Sequence, residues 1–582
     1  MDRVLGKSGS TAQKAELSSA RIVESMLIRF RDISDVPIAD FCVVGAGPAG
    51  IALALALADF GHSVLLVESG EETPTLSTRE LTWAELRNKQ THAPSEIASC
   101  RAFGGTSWWW GGRCVPFDQV DFEHRPFAPG TEWPLSYNEM TGWYSKAAEF
   151  LNCGTGTFEK EPGDWAQPGQ ISISIRELER WTPDTNLQRT YLKRVRESQA
   201  ITLLLGATLT DIHLDKESGQ VREISLADRN KATKASVRVC ILACGGLETT
   251  RIMLLLKRKY STILPSADAV LGKFYMGHIS GKIADVVFSE PELIDEFDFF
   301  TENGHFARRR FTLSKETLKR QELLNIAFWT DNPPFHDASH GSGILSAVWL
   351  MLATPCIGRR LVSEGVRVSH VGPGPYTIKS HLINIVRSPT SVLSSAMLLL
   401  HERYLSSPRK PGFLVRNKGG RYALHYHAEQ LPTKNSYVTL SDELDPLGVP
   451  RLAIDFNYSE LDARSVVRAH RILDQFLRSS RAGYLAYRAA QEELVTRVME
   501  QASDGYHQLG TTRMGRDPAS GIVDENCKVH GTRNLFLLSG SVFPSSGQAN
   551  PTFLIVALAF RLASHLAAAS NTLAARSVHA AV

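Results

Sequence analysis

The sequence predicts an α/β protein: a discontinuous, Rossmann-like dinucleotide-binding domain joined to a second, α+β domain that faces a substrate. Three observations predict it. A strand, glycine turn, helix and strand stand in register over residues 40–70. A second strand–glycine–helix junction lies over 237–256, and a third buried strand with a glycine-containing turn and an apolar helix lies after 534. In a doubly wound sheet such junctions line the ligand crevice at the strand C-terminal ends. At 582 residues the chain is too long for one core, so at least two domains are expected.

The first unit reads DFCVVGAGPAGIALALALADFGHSVLLVESG. Residues 41–44 form a short apolar run, the signature of a buried parallel strand. Gly45, Gly47 and Gly50 follow at G-x-G-x-x-G spacing, and an alanine- and leucine-rich helix runs from Pro48 and Ala49 to about Asp59. Gly45 permits the tight turn, Gly47 lets a pyrophosphate approach the backbone, and Gly50 lets helix and strand pack closely. The helix N-terminus then faces the phosphates. A second strand, 63–67, ends on Glu68, an acid placed to bind ribose hydroxyls. This unit alone does not choose between FAD and NAD.

Composition is that of an ordinary globular chain, 43% apolar and 21% charged. Acids and bases nearly balance for a net charge of +3, so nothing points to nucleic acid as a partner. None of the eight cysteines forms a CxxC pair, so they read as core or incidental thiols of a reducing compartment. Residues 1–10 are polar and precede no uninterrupted apolar run, which makes cytoplasm the expected location.

Further along, Leu17, Ala20, Val23, Met26, Leu27 and Phe30 recur at helical spacing and predict an amphipathic N-terminal helix docked on the main body. Residues 101–113, RAFGGTSWWWGGR, suit no regular element. Gly104, Gly105, Gly111 and Gly112 let the backbone approach a planar group, and the tryptophans offer stacking surface. A proline-rich connector over 121–134 leads to a helix over 135–150, and a basic helix covers about 187–198. Strands return at 201, and 237–243 runs into Cys244-Gly245-Gly246 and a helix over 247–256.

Residues 276–500 lack further glycine-rich crossover turns and read as most of the second domain. Two stretches there are apolar, 341–358 and 392–400. Glycine, serine, threonine and proline dilute the first too far for a membrane span. Burial or a substrate-entry lid is the first reading, and an interfacial helix making peripheral membrane contact is the second. Alternation over 421–440 puts His425, His427 and Glu429 on one strand face, close to Gln430. With no second ligand set at metal spacing, no metal is expected, and the face reads as a polar wall of a substrate pocket.

The C-terminal stretch 504–560 carries the chemistry. A buried strand covers 534–539, a polar turn covers 545–552, and Pro551 and Thr552 open a long apolar helix. The stretch also holds His507 and Asn550. A histidine titrates in the range needed to accept a hydroxyl proton near neutrality. An asparagine amide can hold the same oxygen and stabilise its developing charge.

Taken in order, GAGPAG, FGGTSWWWGG, ACGGLETTRIMLL, HQLGTTRMG, GIVDENCKVHGTRNLF and QANPT span about residues 40–569. On these motifs the chain resembles the glucose–methanol–choline (GMC) flavoprotein oxidoreductases. It is most similar to the branch of pyranose oxidases and bacterial sugar or glycoside dehydrogenases. The resemblance implies FAD, held along Gly45, Gly47, Pro48, Ala49, Gly50 and Glu68. The ring would lie near Gly104, Gly105, Thr106, Ser107, Trp110, Gly111 and Gly112, and the adenine end near Ala207, Ala243 and Gly245. Ser539, Gly540, Pro551 and Thr552 are implied as further cofactor contacts. Trp109, Gln430 and His427 are the candidates at the substrate, and the resemblance implies His507 with Asn550 as the catalytic pair. His278 and His530 are given structural or peripheral roles.

Two departures stand out. Trp109 occupies the position at which pyranose oxidases carry a flavin-linked histidine, so FAD is expected to be non-covalent. Ser539-Gly540 stands where many relatives carry an acid, which puts one polar cofactor contact in question. The expected division is an N-terminal arm over 1–36; an FAD-binding domain over 37–135, 201–275 and 503–582; and a substrate-binding domain over 136–200 and 276–502. The expected reaction oxidises a CH–OH group of a sugar, glycoside or polyol, with oxygen, a quinone or a redox protein as electron acceptor. A lipophilic alcohol such as a sterol at a membrane surface, and a lyase that retains flavin as structure, are the alternatives.

Overall fold

The computed structural model describes residues 26–163, 172–264, 267–362, 364–372 and 374–580. Its first layer is a six-stranded, wholly parallel sheet. The strands run in the order Leu27–Arg29, Ile201–Leu205, Val64–Glu68, Phe41–Val44, Val239–Leu242 and Leu535–Leu537. Phe41 pairs with Val64 and Val44 with Val67, which sets the glycine turn directly above the centre of the sheet. Every residue of these two strands is buried, as a parallel sheet covered on both faces requires. The helix Pro48–Asp59 is apolar nearly all round, with Ala49 to Leu57 buried. It is enclosed between the sheet and the C-terminal helix Thr552–Ala580. That last helix has a 19-residue window, Thr552–Ser570, long and apolar enough to cross a membrane, yet 61% of the window is buried within this fold.

The sheet corrects one expectation and refines another. Of the predicted N-terminal helix, the part up to residue 25 lies outside the described residues. Within them, Leu27–Arg29 is not helical but an edge strand paired with Leu203–Leu205, followed by buried Phe30. A short stretch, apolar at Leu27 and Ile28, beside an open parallel edge gains ladder hydrogen bonds that a helix there would forgo. The helix expected over 135–150 is two, Tyr137–Thr141 and Tyr144–Phe150, broken at Gly142-Trp143.

The second layer is a six-stranded antiparallel sheet in the order Gly483–Tyr487, His278–Phe288, Arg421–Glu429, Ile326–Asp331, Phe311–Leu313 and Ile173–Ser174. Ile279, Leu424, Tyr426 and Ala428 join the core formed with the helices Glu460–Ser479 and Leu494–Gln501. Alternation sends their neighbours His278, His425, His427 and Glu429 to the opposite face. The two layers are pinned together by a buried ion pair. Arg125, on the proline-rich connector, donates to both carboxylate oxygens of Glu429 at 2.6 and 2.7 Å, and neither side chain has any exposure.

Between Ile326–Asp331 and Arg421–Glu429 the chain makes a helical insertion, Gly343–Ala353, Pro355–Leu361, Glu364–Val371, Ile378–Arg387 and Pro389–Leu400. Asn332 closes its base, donating to Phe413 O and accepting the Val415 N–H, both at 2.8 Å. The apolar stretch 341–358 is two helices that meet at 106°. Pro355, at the first position of the second helix, supplies no N–H to continue the first.

Candidate active site

The glycine turn lies at the floor of a cleft along the C-terminal edge of the parallel sheet, with about 1460 Å³ of open volume. Gly47 caps the helix Pro48–Asp59 without a side-chain hydrogen bond, so its first amides are left for a ligand. Gly45 has φ +105°, and a Cβ there would stand 2.5 Å from Ala243 O. A Cβ on Gly105 would strike Gly47 Cα at 2.8 Å, so two glycine backbones meet at the cleft floor. Glu68 closes the far side. Its Oε2 accepts the N–H of Ala46 at 2.9 Å, and its Oε1 accepts the N–H of Gly70 at 2.8 Å and the hydroxyl of Ser69 at 3.3 Å, which leaves Oε2 a lone pair for a ligand. An anion-receptive helix end, bare backbone and a buried carboxylate at the strand end fit a dinucleotide such as FAD.

Most of the predicted cofactor residues line this cleft: Gly45, Gly47, Pro48, Ala49, Glu68, Gly105, Thr106, Ala207, Ala243, Gly245, Ser539, Gly540, Pro551 and Thr552. Six others shape it from behind or stand outside it. Gly50 packs under the turn, where a Cβ would overlap Gly45 O at 1.8 Å. Gly104 donates its N–H to Ala46 O, and Ser107 Oγ accepts the N–H of Leu187 at 3.1 Å. Trp110 donates its indole N–H to Thr185 O, and Gly112 packs on Thr182 and Thr185. Gly111 is exposed, with open space where its Cβ would be. Further cleft residues, inside the quoted stretches but not singled out there, are Arg101 and Glu248, an ion pair at 2.8 Å, together with Arg251 and Gln508.

At one end of the cleft three histidines converge. His507 Nδ1 lies 2.9 Å from Asp504 Oδ2 and 3.0 Å from His278 Nδ1. His507 Nε2 lies 2.9 Å from Asn550 Nδ2. His427 stacks on His278, ring centroids 4.2 Å apart, and stands edge-on to His507 at 5.7 Å. The loop 504–507 and the turn before Thr552 come from the first layer's end of the chain. His278 and His427 come from adjacent strands of the second sheet, whose register pairs Ser280 with His427.

The hydrogen bonds assign the protons. His278 Nε2 faces the carbonyl of Ser546 at 3.2 Å, and a carbonyl only accepts, so Nε2 carries the proton. Burial pushes the His278 pKa down, against the pull of Asp504, which keeps the ring neutral and makes its Nδ1 an acceptor. His507 Nδ1 must then be the donor, shared between His278 and Asp504. That leaves His507 Nε2 with a lone pair, and Asn550 Nδ2 donates to it. Burial raises the Asp504 carboxyl, but His507 and His278 and their hydrogen bonds outweigh it and hold the group well below the usual carboxylate range. Asn550 Oδ1 and His427 Nε2 are buried without a protein partner. Burial first, then the neighbouring His278 and Arg113, hold the His427 pKa well below its ordinary value.

The ring nitrogens of His278, His427 and His507 also lie within 4.8 Å of one another, the proximity of a metal site. Three of them are engaged, with Asp504, with Ser546 O and with Ser280 Oγ at 2.5 Å, and the arrangement reads as a hydrogen-bonded network.

This constellation revises two sequence readings. His278, given a peripheral role, touches His507 directly. Gln430 is fully buried, with its amide spent on the Gly277 N–H and on Asn457 O, both at 2.8 Å, so it holds the sheet rather than a substrate. Trp109 is half-buried with its indole N–H unpartnered. His530 stands apart, its Nε2 3.1 Å from Gly515 O. Asp504 was missed although it lies three residues before His507.

Comparison with known proteins bears on the same residues. The GMC oxidoreductase family model matches residues 432–559, the segment that carries Asp504, His507 and Asn550. The chain is a GMC oxidoreductase. Curated relatives align along most of its length. A 2-methyl-1,2-propanediol dehydrogenase of Mycolicibacterium austroafricanum is 21% identical over 90% of this chain and 95% of its own. The fructose dehydrogenase large subunit of Gluconobacter japonicus is 21% identical over 90% and 97%. The 6'''-hydroxyparomomycin C oxidase of Streptomyces lividus is 34% identical over 24% of each chain. Among solved structures, formate oxidase of Aspergillus oryzae RIB40 superposes with a TM-score of 0.51 at 15% identity, over 93% of this chain and 100% of that one. An FAD-dependent oxidoreductase from Chaetomium thermophilum also gives 0.51 at 15% identity, over 90% and 98%. At that identity the superpositions show the shared fold. This GMC oxidoreductase is thus an FAD-dependent enzyme of the alcohol-oxidising type.

Proposed function

We propose that this GMC oxidoreductase oxidises a CH–OH group of a sugar, glycoside or polyol to a carbonyl. FAD, when bound, supplies the acceptor for the carbinol hydride. The protein supplies the rest. A hydroxyl that enters between His507 and Asn550 replaces their 2.9 Å contact and meets an acceptor and a donor together. His507 Nε2 takes the hydroxyl proton, and Asn550 Nδ2 donates to the oxygen as its charge grows. Asp504 holds the proton on His507 Nδ1 and stabilises the imidazolium that forms, as an orienting carboxylate does in other histidine-base enzymes. The observation that carries this reading is the single tautomer that Ser546 O, His278 and Asp504 impose on His507.

The substrate class rests on the relatives, whose names give a diol, a ketohexose and an aminoglycoside as substrates. Non-covalent FAD is the accompanying proposal. Trp109 cannot form the histidyl link, and the two cleft thiols are poor nucleophiles, since burial holds Cys100 at about 12 and raises Cys244 further. The test is an anaerobic visible spectrum of the holoenzyme titrated with sugars, glycosides, cyclitols, diols and sterols. Bleaching of the oxidised flavin band by a polyhydroxylated compound is expected. Bleaching by sterols alone would overturn the substrate class, and flavin that stays with acid-precipitated protein would overturn non-covalent attachment.

A further inference from the structure

In the helical insertion between Asn332 and Phe413, one helix has its amphipathic pattern inside out. The insertion's own small core holds Phe335, Leu345, Trp349, Leu352 and Val371. Against that core the helix Ile378–Arg387 presents its polar residues. His381 Nδ1 lies 3.0 Å from Ser346 Oγ, and Asn384 donates to Ala338 O at 2.8 Å, both side chains buried. The apolar residues point outward: Val386 is 76% exposed, and Leu382 and Ile383 about half. The next helix, Pro389–Leu400, buries no residue at all, and its Leu393, Met397 and Leu398 are more than half exposed. A helix facing water places these residues the other way round. A contiguous exposed apolar face on this scale marks a contact surface.

Charge and geometry say what covers it. Residues 341–410 hold eight lysines and arginines and two acids, while the whole chain nets only +3, so the rest of the molecule is net acidic. Both acids are taken up within the insertion, Glu364 by Arg359 and Arg367 and Glu402 by Lys410. Lys379 and Arg387 are exposed at the two ends of the apolar helix, and the Pro389–Leu400 helix carries no charge. The helix pairs bend by 106° and 95°, so each apolar stretch turns back instead of running through. An apolar face rimmed by cations, lying flat and free of outward acids, matches an anionic bilayer interface better than a protein partner.

We propose that the 341–410 insertion docks this oxidoreductase on an anionic lipid bilayer, lying in the interface without crossing it. The surface stands beside the active site. The insertion's Glu364–Val371 helix contacts the Ser95–Ala98 helix, whose Ala98 lines the cleft together with Tyr506 and His507.

The test is flotation of the full-length holoenzyme with phosphatidylcholine vesicles containing phosphatidylglycerol, and with phosphatidylcholine alone. Flotation with the anionic vesicles is expected, reduced about tenfold at ~0.5 M salt as the charges are screened. Val386→Asp with Leu398→Asp should abolish it. Lys379→Glu with Arg387→Glu should weaken it by about 30-fold or more, at about 1 kcal/mol per charge lost. All four sites are exposed, so flavin absorbance and circular dichroism should match wild type. Failure of the wild type to float, equal flotation with both vesicles, or unchanged flotation of the Asp variant would overturn the proposal. So would a wild-type dimer that the Asp variant converts to monomer, which would make the face a contact between copies of this chain.

Discussion

Asp504 Oδ2 stands 2.9 Å from His507 Nδ1 and accepts the backbone N–H of His278 at 2.7 Å, so one buried carboxylate positions two of the three clustered histidines. Its other oxygen accepts the N–H groups of Tyr506 at 2.9 Å and His507 at 3.2 Å. The loop that carries the proton acceptor is thereby folded around the group that sets its tautomer.

Asp504→Asn removes that control. The amide N–H₂ can face His507 Nδ1 and favour the tautomer with the proton on Nε2, which cannot take another. Turnover should fall about 10²-fold or more, with a smaller change in KM and with FAD retained. Steady-state kinetics and flavin absorbance check it, and a loss confined to KM would show that Asp504 acts only in binding.

Asn550 donates toward the oxygen that becomes negative, so Asn550→Ala should lower kcat by about 10²-fold. Asn550→Asp sets a carboxylate beside that oxygen and should do at least as much damage. Equal kcat in all three proteins would assign Asn550 to packing alone.

Acid should weaken the fold through its buried histidines. His470 is fully buried, donates from Nδ1 to Val466 O at 2.8 Å, and is pushed down to about 4 by burial. An unfolded histidine titrates near ~6.5, so between that value and about 4 only the unfolded chain takes up the proton. The contribution is complete above ~6.5 and is lost as pH falls toward 4, about 2 kcal/mol at pH ~5 for this residue. His278 and His427 are shifted the same way. Urea unfolding at pH 7.5 and 5 checks the sign, and His470→Leu should flatten the dependence.

The Arg125–Glu429 pair should matter more when broken than when replaced. Glu429→Gln leaves a buried guanidinium without its counter-charge and should cost about 3–5 kcal/mol of stability. The double change Arg125→Met with Glu429→Leu should recover much of that loss. Denaturant midpoints of the two variants decide it.

Much of this molecule is legible before folding. The helix Pro48–Asp59 has the bounds that its glycine turn and apolar run predict, because a sharp turn and a buried face are both local properties. His507 and Asn550 are marked by the motifs around them. What escapes is set by distant pairing. His278 reaches His507 across 229 residues only because its strand lies beside Arg421–Glu429 in the second sheet, with Ser280 registered on His427. The Leu27–Arg29 strand depends on an open edge supplied by Ile201–Leu205. The helix Ile378–Arg387 shows a period in sequence, but which face turns inward is decided by Ser346 and Ala338, with which His381 and Asn384 bond.

The most direct test of the central claim is the rate of anaerobic flavin reduction in His507→Ala, measured by stopped flow with the alcohol that bleaches the wild-type enzyme. The variant should keep its oxidised flavin spectrum and be reduced about 10²–10⁴-fold more slowly. Reduction at the wild-type rate would contradict the account and remove His507 from the proton transfer.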